Sequence, residues 1–181
     1  MPLVKEHTYT IEDIFNLPDG RHAELIDGQI YDMAPPSRMH QEISFALSRK
    51  IADHIDSKNG SCKVYPAPFA VFLNADDKTY VEPDISIICN KDKLSDRGCE
   101  GAPDFIIEVV SPSSQQMDYL IKLFKYRSAG VREYWIVNPA TRTVTVFDFE
   151  KEQASGQYNF VQPVISNIFH DLKITIADLL S

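Results

Sequence analysis

The chain has 181 residues, 44% of them apolar, with a formal net charge of -8 and a pI near 5.0. That length suits one domain with a real core, spanning residues 1–181. The acidity argues against a protein that coats nucleic acid by bulk electrostatics, while a local basic rim on an acidic body still allows a nuclease.

In chain order, Thr10–Phe15 reads as a short helix with Thr10 as its N-cap, ended by Leu17-Pro18-Asp19-Gly20. Ala23–Ile26 and Gln29–Tyr31 read as a hairpin on the Asp27-Gly28 turn. Pro35-Pro36-Ser37 breaks the chain. Met39–Asp56 follows as an amphipathic helix, with Ile43, Leu47, Ile51 and Ile55 on one stripe. Asn59-Gly60 closes it. Three strands are expected next, over Lys63–Leu73, Tyr80–Cys89 and Asp104–Val110. Asn74–Lys78 is a turn, and Asn90–Ala102 a charged loop. Ser113–Ala129 reads as a helix with a Ser113/Gln116 capping box and with Met117, Leu120, Ile121 and Phe124 toward the core. Gly130 is a natural stop. Glu133–Val137 and Thr141–Phe149 form a last strand pair, and a short helix near Thr175–Leu180 ends the chain. This order predicts an α/β fold with a mixed central β-sheet flanked by helices.

The cysteines Cys62, Cys89 and Cys99 form no CxxC pair and leave an odd count. A reduced, cytoplasmic protein is therefore expected rather than a disulfide framework or a zinc ribbon. No apolar run is long enough to span a membrane, and Met1–Thr10 lacks a signal-peptide core.

Chemistry concentrates in two apolar runs. The first contains Glu82-Pro83-Asp84-Ile85-Ser86-Ile87-Ile88. The second is Asp104-Phe105-Ile106-Ile107-Glu108-Val109-Val110. An ionised carboxylate in a buried strand is costly unless something positive meets it. In the second run Phe105, Ile107 and Val109 share one face, and Ile106, Glu108 and Val110 the other, so Glu108 has apolar neighbours on both sides. A structural ion pair with arginine or lysine satisfies Glu108 as well as a divalent cation shared with Asp84 does. Asp84 after Pro83 also suits a solvated strand start. Their joint occurrence on neighbouring strands is what points to metal-assisted hydrolysis. On the following helix Asp118, Lys122 and Tyr126 recur at i, i+4 and i+8. Lys125 lies on a different face. His40 is read as a cap or surface group. No catalytic triad, Walker motif or dinucleotide fingerprint is present.

These residues together resemble the PD-(D/E)XK restriction-endonuclease-like superfamily, and more finely the Uma-two family of proposed endonucleases, a domain of unknown function expanded in cyanobacteria. The resemblance runs from Glu24-Leu25-Ile26-Asp27-Gly28 to Val137-Asn138-Pro139. Between them it is carried by His40-Gln41, Glu82-Pro83-Asp84, Ile107-Glu108-Val109-Val110-Ser111-Pro112-Ser113, Asp118–Tyr126 and Ala129–Val137. One departure stands out. The superfamily lysine usually follows the second acid by two residues, where this chain has Val110. The resemblance suggests that Lys122 takes its place from the helix.

The resemblance implies a restriction-endonuclease-like core and Mg²⁺- or Mn²⁺-dependent hydrolysis of DNA phosphodiesters. Asp84 and Glu108 would hold the ion, with the Val109 carbonyl as a further ligand. Lys122 would orient the attacking water and offset phosphate charge. Gln41 and Tyr126 would support the site, as would Glu24, by bracing it or holding a second ion. A homodimer is expected for so small a nuclease-like domain. The rival reading is a catalytically inactive nuclease-fold module that binds nucleic acid or a protein partner. A third is a phosphate- or nucleotide-directed hydrolase using the same metal.

Overall fold

The computed structural model of the protein describes residues 7–151 and 154–181. Helix α1 (Ile11–Phe15) starts at Thr10, whose backbone N–H donates to the Asp13 carboxylate at 2.7 Å. Strands β1 (Ala23–Ile26) and β2 (Gln29–Asp32) form the expected hairpin. Asp27 and Gly28 both take positive φ, 51° and 78°, as a tight two-residue turn demands. The long helix α2 (Arg38–Ser57) is capped by Ser37, whose Oγ accepts the His40 N–H. Its Ile43, Leu47, Ile51 and Ile55 are buried as the periodicity predicts.

The next region is more broken than its sequence suggests. The Lys63–Leu73 run divides into β3 (Lys63–Pro66) and β4 (Val71–Phe72). The Tyr80–Cys89 run makes isolated bridges at Tyr80 and Val81, and its continuous strand is only β5 (Ile85–Ile88). Pro83 has no N–H to give a ladder, and the chain leaves the sheet there. The expected loop over Asn90–Ala102 instead holds a 3₁₀ turn (Lys91–Lys93) and two short strands, β6 (Leu94–Ser95) and β7 (Gly98–Glu100). β7 pairs with β4 in a small second sheet, a non-local partnership that local pattern does not reveal.

Strand β8 (Phe105–Val109) leads through a π-helical turn (Met117–Lys122) into α3 (Leu123–Ala129). Gly130, at φ 96° and ψ 20°, gives the left-handed stop. The predicted Ser113/Gln116 capping box is replaced by Ser114, whose Oγ accepts from Ser111 N–H and donates to Asp118. The π turn also changes the helix phase. Asp118, Lys122 and Tyr126 point inward, whereas Leu120 and Phe124, expected in the core, are 61% and 66% exposed.

Strands β9 (Glu133–Asn138), β10 (Thr143–Asp148) and β11 (Ala154–Asn159) complete a six-stranded sheet of order β11-β10-β9-β8-β5-β3. β11 is an addition to the expected elements. Only the β8–β9 pair within this sheet is parallel, joined by the helical crossover; the rest are antiparallel. A small pair, β12 (Val164–Ile165) with β13 (Lys173–Ile174), and helix α4 (Ile176–Leu179) follow.

Each sheet face is covered. Phe105, Ile107, Val109 and Trp135 pack with α2 and the C-terminal elements, while Ile106, Val110, Tyr134 and Ile136 pack with Tyr126 of α3. The alternation read along β8 thus holds. Burying these apolar faces on both sides supplies the main stabilisation, at about 25 cal/mol per Å² of apolar surface removed from water.

One expectation about cysteine differs. Cys62 and Cys89 are joined as a disulfide, with Cα atoms 3.9 Å apart. Lys63 pairs with Ile88, so the flanking Cys62 and Cys89 face each other one step past the ladder. A sequence separation of 27 residues hides this in the sequence. Cys99 is a free, buried thiol, pushed up to about 11 by burial. Among the described residues no helix is long and apolar enough to cross a membrane.

Candidate active site

The β5–β8 register places Ile85 opposite Ile107, so the next antiparallel step brings Asp84 to Glu108. The contacts agree. Asp84 N–H donates to Glu108 Oε2 at 3.2 Å, and Val109 N–H donates to Asp84 Oδ2 at 2.7 Å. The Val109 N–H lies beyond the end of the β5 ladder, and the carboxylate takes it instead.

Glu108 projects on the α3 face of the sheet, where Lys122 and Tyr126 meet it. Lys122 Nζ lies 2.9 Å from Glu108 Oε1, and Tyr126 Oη donates to the same oxygen at 2.7 Å. Glu24 arrives from β1, which bridges to Tyr80 through paired Leu25–Tyr80 hydrogen bonds. Its carboxylate is 2.9 Å from Lys122 Nζ and also accepts the Glu82 N–H at 2.9 Å. Asp118 stands 3.9 Å from Lys122 Nζ, held by Ser114 Oγ at 2.7 Å. The structure therefore brings together Glu24, Asp84, Glu108, Val109, Lys122 and Tyr126.

Two placements differ from the sequence reading. Gln41 is exposed on α2, and the side chain that reaches the site is its neighbour. His40 Nε2 is 3.1 Å from Asp84 Oδ2, with 12% and 18% of the two side chains exposed. The sequence signal for His40 was slight: a place in the first turn of a helix capped by Ser37. Lys122, expected to face water and phosphate, has its ammonium between Glu24 and Glu108. That is the geometry of the structural ion pair.

The charges do not balance. Glu24, Glu108 and Asp118 are three carboxylates around the one ammonium of Lys122, an excess of two negative charges if all ionise, while Asp84 beside them pairs with His40. Burial pushes the Glu108 carboxyl well above its usual range; Lys122 opposes this, and Asp84 and Asp118 add to the rise. Burial likewise raises Asp118 to about 6, against Lys122 and the Ser114 hydrogen bond. Burial pulls the Lys122 ammonium down, but Glu108 and Glu24 overcome it and keep the lysine charged. Burial, then Glu108, pushes the Tyr126 phenol well upward, so it stays a donor. A proton or a cation must offset the remaining negative charge.

The donor chemistry fits a hard cation. Among the described residues the hydrogen bonds on Asp84 fall on Oδ2 and none on Oδ1, and Glu108 Oε2 accepts from Asp84 N–H alone. Two carboxylate oxygens on adjacent strands are suitable ligands for Mg²⁺ or Mn²⁺. Among the described residues no group of three or more His, Cys, Asp or Glu side chains is gathered to hold a metal. Backbone carbonyl or water oxygens would have to complete the shell. Two open surface grooves, about 370 and 300 Å³, are lined by none of these residues.

Comparison with known proteins agrees with this geometry at the level of fold. A crystal structure of an Anabaena variabilis protein, titled a "putative nuclease belonging to DUF820", superposes with a TM-score of 0.76. The match covers 94% of this chain and 97% of that one at 20% identity, and the two share a mixed α/β fold. An "Uncharacterized protein slr1290" of Synechocystis sp. is 30% identical over 125 residues, 68% of this chain and 64% of its own. A second Synechocystis protein, sll1609, is 26% identical over 119 residues, 64% of this chain and 66% of its own. The chain thus spans slightly under two thirds of the length of either relative. The family model Uma2, described as "Putative restriction endonuclease", matches residues 11–177, and the chain belongs to that family.

Proposed function

We propose that this chain is a metal-dependent endonuclease that hydrolyses phosphodiester bonds in DNA. Asp84 and Glu108 would hold Mg²⁺ or Mn²⁺ with the Val109 carbonyl as a further ligand. The observation that carries this reading is the Asp84–Glu108 pair, cross-linked by hydrogen bonds at a strand end and left with more negative charge than Lys122 offsets. The ion, when bound, supplies positive charge against the scissile phosphate and makes water more acidic. Lys122 and Tyr126 hold Glu108 by Oε1, so Oε2 is the oxygen left for the ion. Glu24 keeps Lys122 in place and ties it to the Glu82 backbone. Lys122 then acts by orienting a ligand carboxylate rather than by touching phosphate.

The test is cleavage of plasmid, linear, branched and single-stranded DNA with Mg²⁺ and with Mn²⁺. Wild type is expected to cut at least one, and Glu108→Ala none. Equal cleavage by both would remove this site as the source.

One observation favours a second reading. With its ammonium paired to Glu24 and Glu108, Lys122 satisfies the cluster as a structural ion pair needing no catalysis. A nuclease-fold module that binds nucleic acid or a protein without cutting is consistent with that. Wild type that binds DNA but cuts none of the four forms with either ion would favour it.

A further inference from the structure

We propose that His40 is the positioning residue of Asp84: its Nε2–H holds Oδ2 and leaves Oδ1 as the oxygen offered to the cation. This rests on the metal reading above. The Asp84 carboxylate accepts Val109 N–H and Asp84 sits among acids, so its ionised form can only accept from the ring. At 3.1 Å the hydrogen therefore belongs to Nε2. Nδ1 is buried and has no hydrogen-bond partner among the described residues, so the 3.1 Å contact of Nε2 with Asp84 is the ring's side-chain anchor.

Two donors, His40 Nε2 and Val109 N, then converge on one oxygen of Asp84. They come from different elements, α2 and β8. The histidine end of this arrangement is stiff. His40 N–H is fixed by Ser37 Oγ at 3.2 Å, and the rest of α2 is anchored through Ile43, Leu47, Ile51 and Ile55 in the core. Asp84 itself follows Pro83 and lies just outside β5, so its carboxylate is held by groups that reach it from other elements. A ligand on such a segment needs an outer partner, and partners of this kind typically govern about 10–100-fold of metal affinity. Its hydrogen-bonding position also argues against His40 as a ligand in its own right: Nε2 is engaged with Asp84 and Nδ1 faces no opening to water.

The experiment measures Mn²⁺ uptake by the spin-resonance signal of the free ion, alongside ¹⁵N-histidine NMR in EDTA. Thermal melts in EDTA establish that each variant folds. Wild type is expected to bind Mn²⁺ and to show His40 as the Nε2–H form without metal. His40→Ala should weaken Mn²⁺ binding about 10–100-fold. His40→Gln, whose amide also donates, should recover most of that. Unchanged affinity in His40→Ala overturns the proposal. Equal loss in His40→Ala and His40→Gln overturns it in favour of His40 as a ligand. An Nδ1–H form in EDTA overturns the assigned hydrogen bond. Wild type that keeps the Nε2–H form but takes up no Mn²⁺ overturns the metal reading, and the positioning role with it.

Discussion

Lys122 Nζ and Glu108 Oε1 lie 2.9 Å apart with both side chains buried. Breaking such a pair leaves a carboxylate in apolar surroundings without its cation. Lys122→Ala is therefore expected to lower stability by about 3–5 kcal/mol in urea titrations at neutral pH. Lys122→Ala within 1 kcal/mol of wild type would show that the cluster is hydrated or already protonated. If Lys122 acted only on phosphate, the same variant would lose activity at unchanged stability.

A divalent ion should stabilise the folded chain. A ligand that binds only the folded state contributes about 2.7 kcal/mol at a hundredfold excess over its dissociation constant. Raised melting temperature in millimolar Mg²⁺ or Mn²⁺ is expected, and Glu108→Gln should remove most of the increment. Unchanged wild-type melting across that range would count against ion binding by the isolated chain.

The acid cluster should imprint a pH dependence. Burial holds the Asp118 carboxyl at about 6 against an ordinary value of 3.8, so between those values the folded chain binds the proton more tightly than the unfolded chain. This contribution is full below about pH 4 and is lost as pH rises through about 6, with an upper size on the order of 2–3 kcal/mol. Urea stability in EDTA should therefore decline over that window more steeply for wild type than for Asp118→Asn. Parallel curves would remove Asp118 as the titrating group.

A second buried acid separates scaffold from site. Among the described residues Glu133 has no cation partner but accepts from Trp135 Nε1 at 2.7 Å, Ser166 Oγ at 2.8 Å, and the Asn167 and Ile168 N–H groups at 3.0 Å. Glu133→Ala strands these donors and should cost about 3 kcal/mol or more in urea titrations. Glu133 pairs with Phe105, at the opposite end of β8 from Glu108. The increment from Mg²⁺ should therefore survive, and its loss would couple the two ends.

Much of this was legible in the sequence where a single element decides. The alternation in β8 puts Glu108 on the face of Ile106 and Val110, and the i, i+4, i+8 stripe links Lys122 to Tyr126. What local pattern missed needed partners from afar. The Cys62–Cys89 bond follows from β3–β5 register, and β7 pairs with the distant β4 as well as with its neighbour β6. An α-helical phase puts Leu120 and Phe124 in the core, but the chain makes a π turn there and both are exposed. His40 rather than Gln41 reaches the site, 44 residues along the chain from its partner Asp84, and local spacing carries no such information.

The π turn has a consequence for how this chain tolerates changes in length. Such a turn is an α-helix carrying one surplus residue, so removing one closes it without re-phasing what lies on either side. A one-residue deletion between Asp118 and Lys122 should leave Tyr126 packed on the sheet while moving the acid and the lysine to i, i+3 spacing. Elsewhere in the helix the same deletion would rotate every later side chain by about 100°. The surplus residue is thus the one place along the helix where the domain can shorten, keep its core, and still lose the geometry around Glu108.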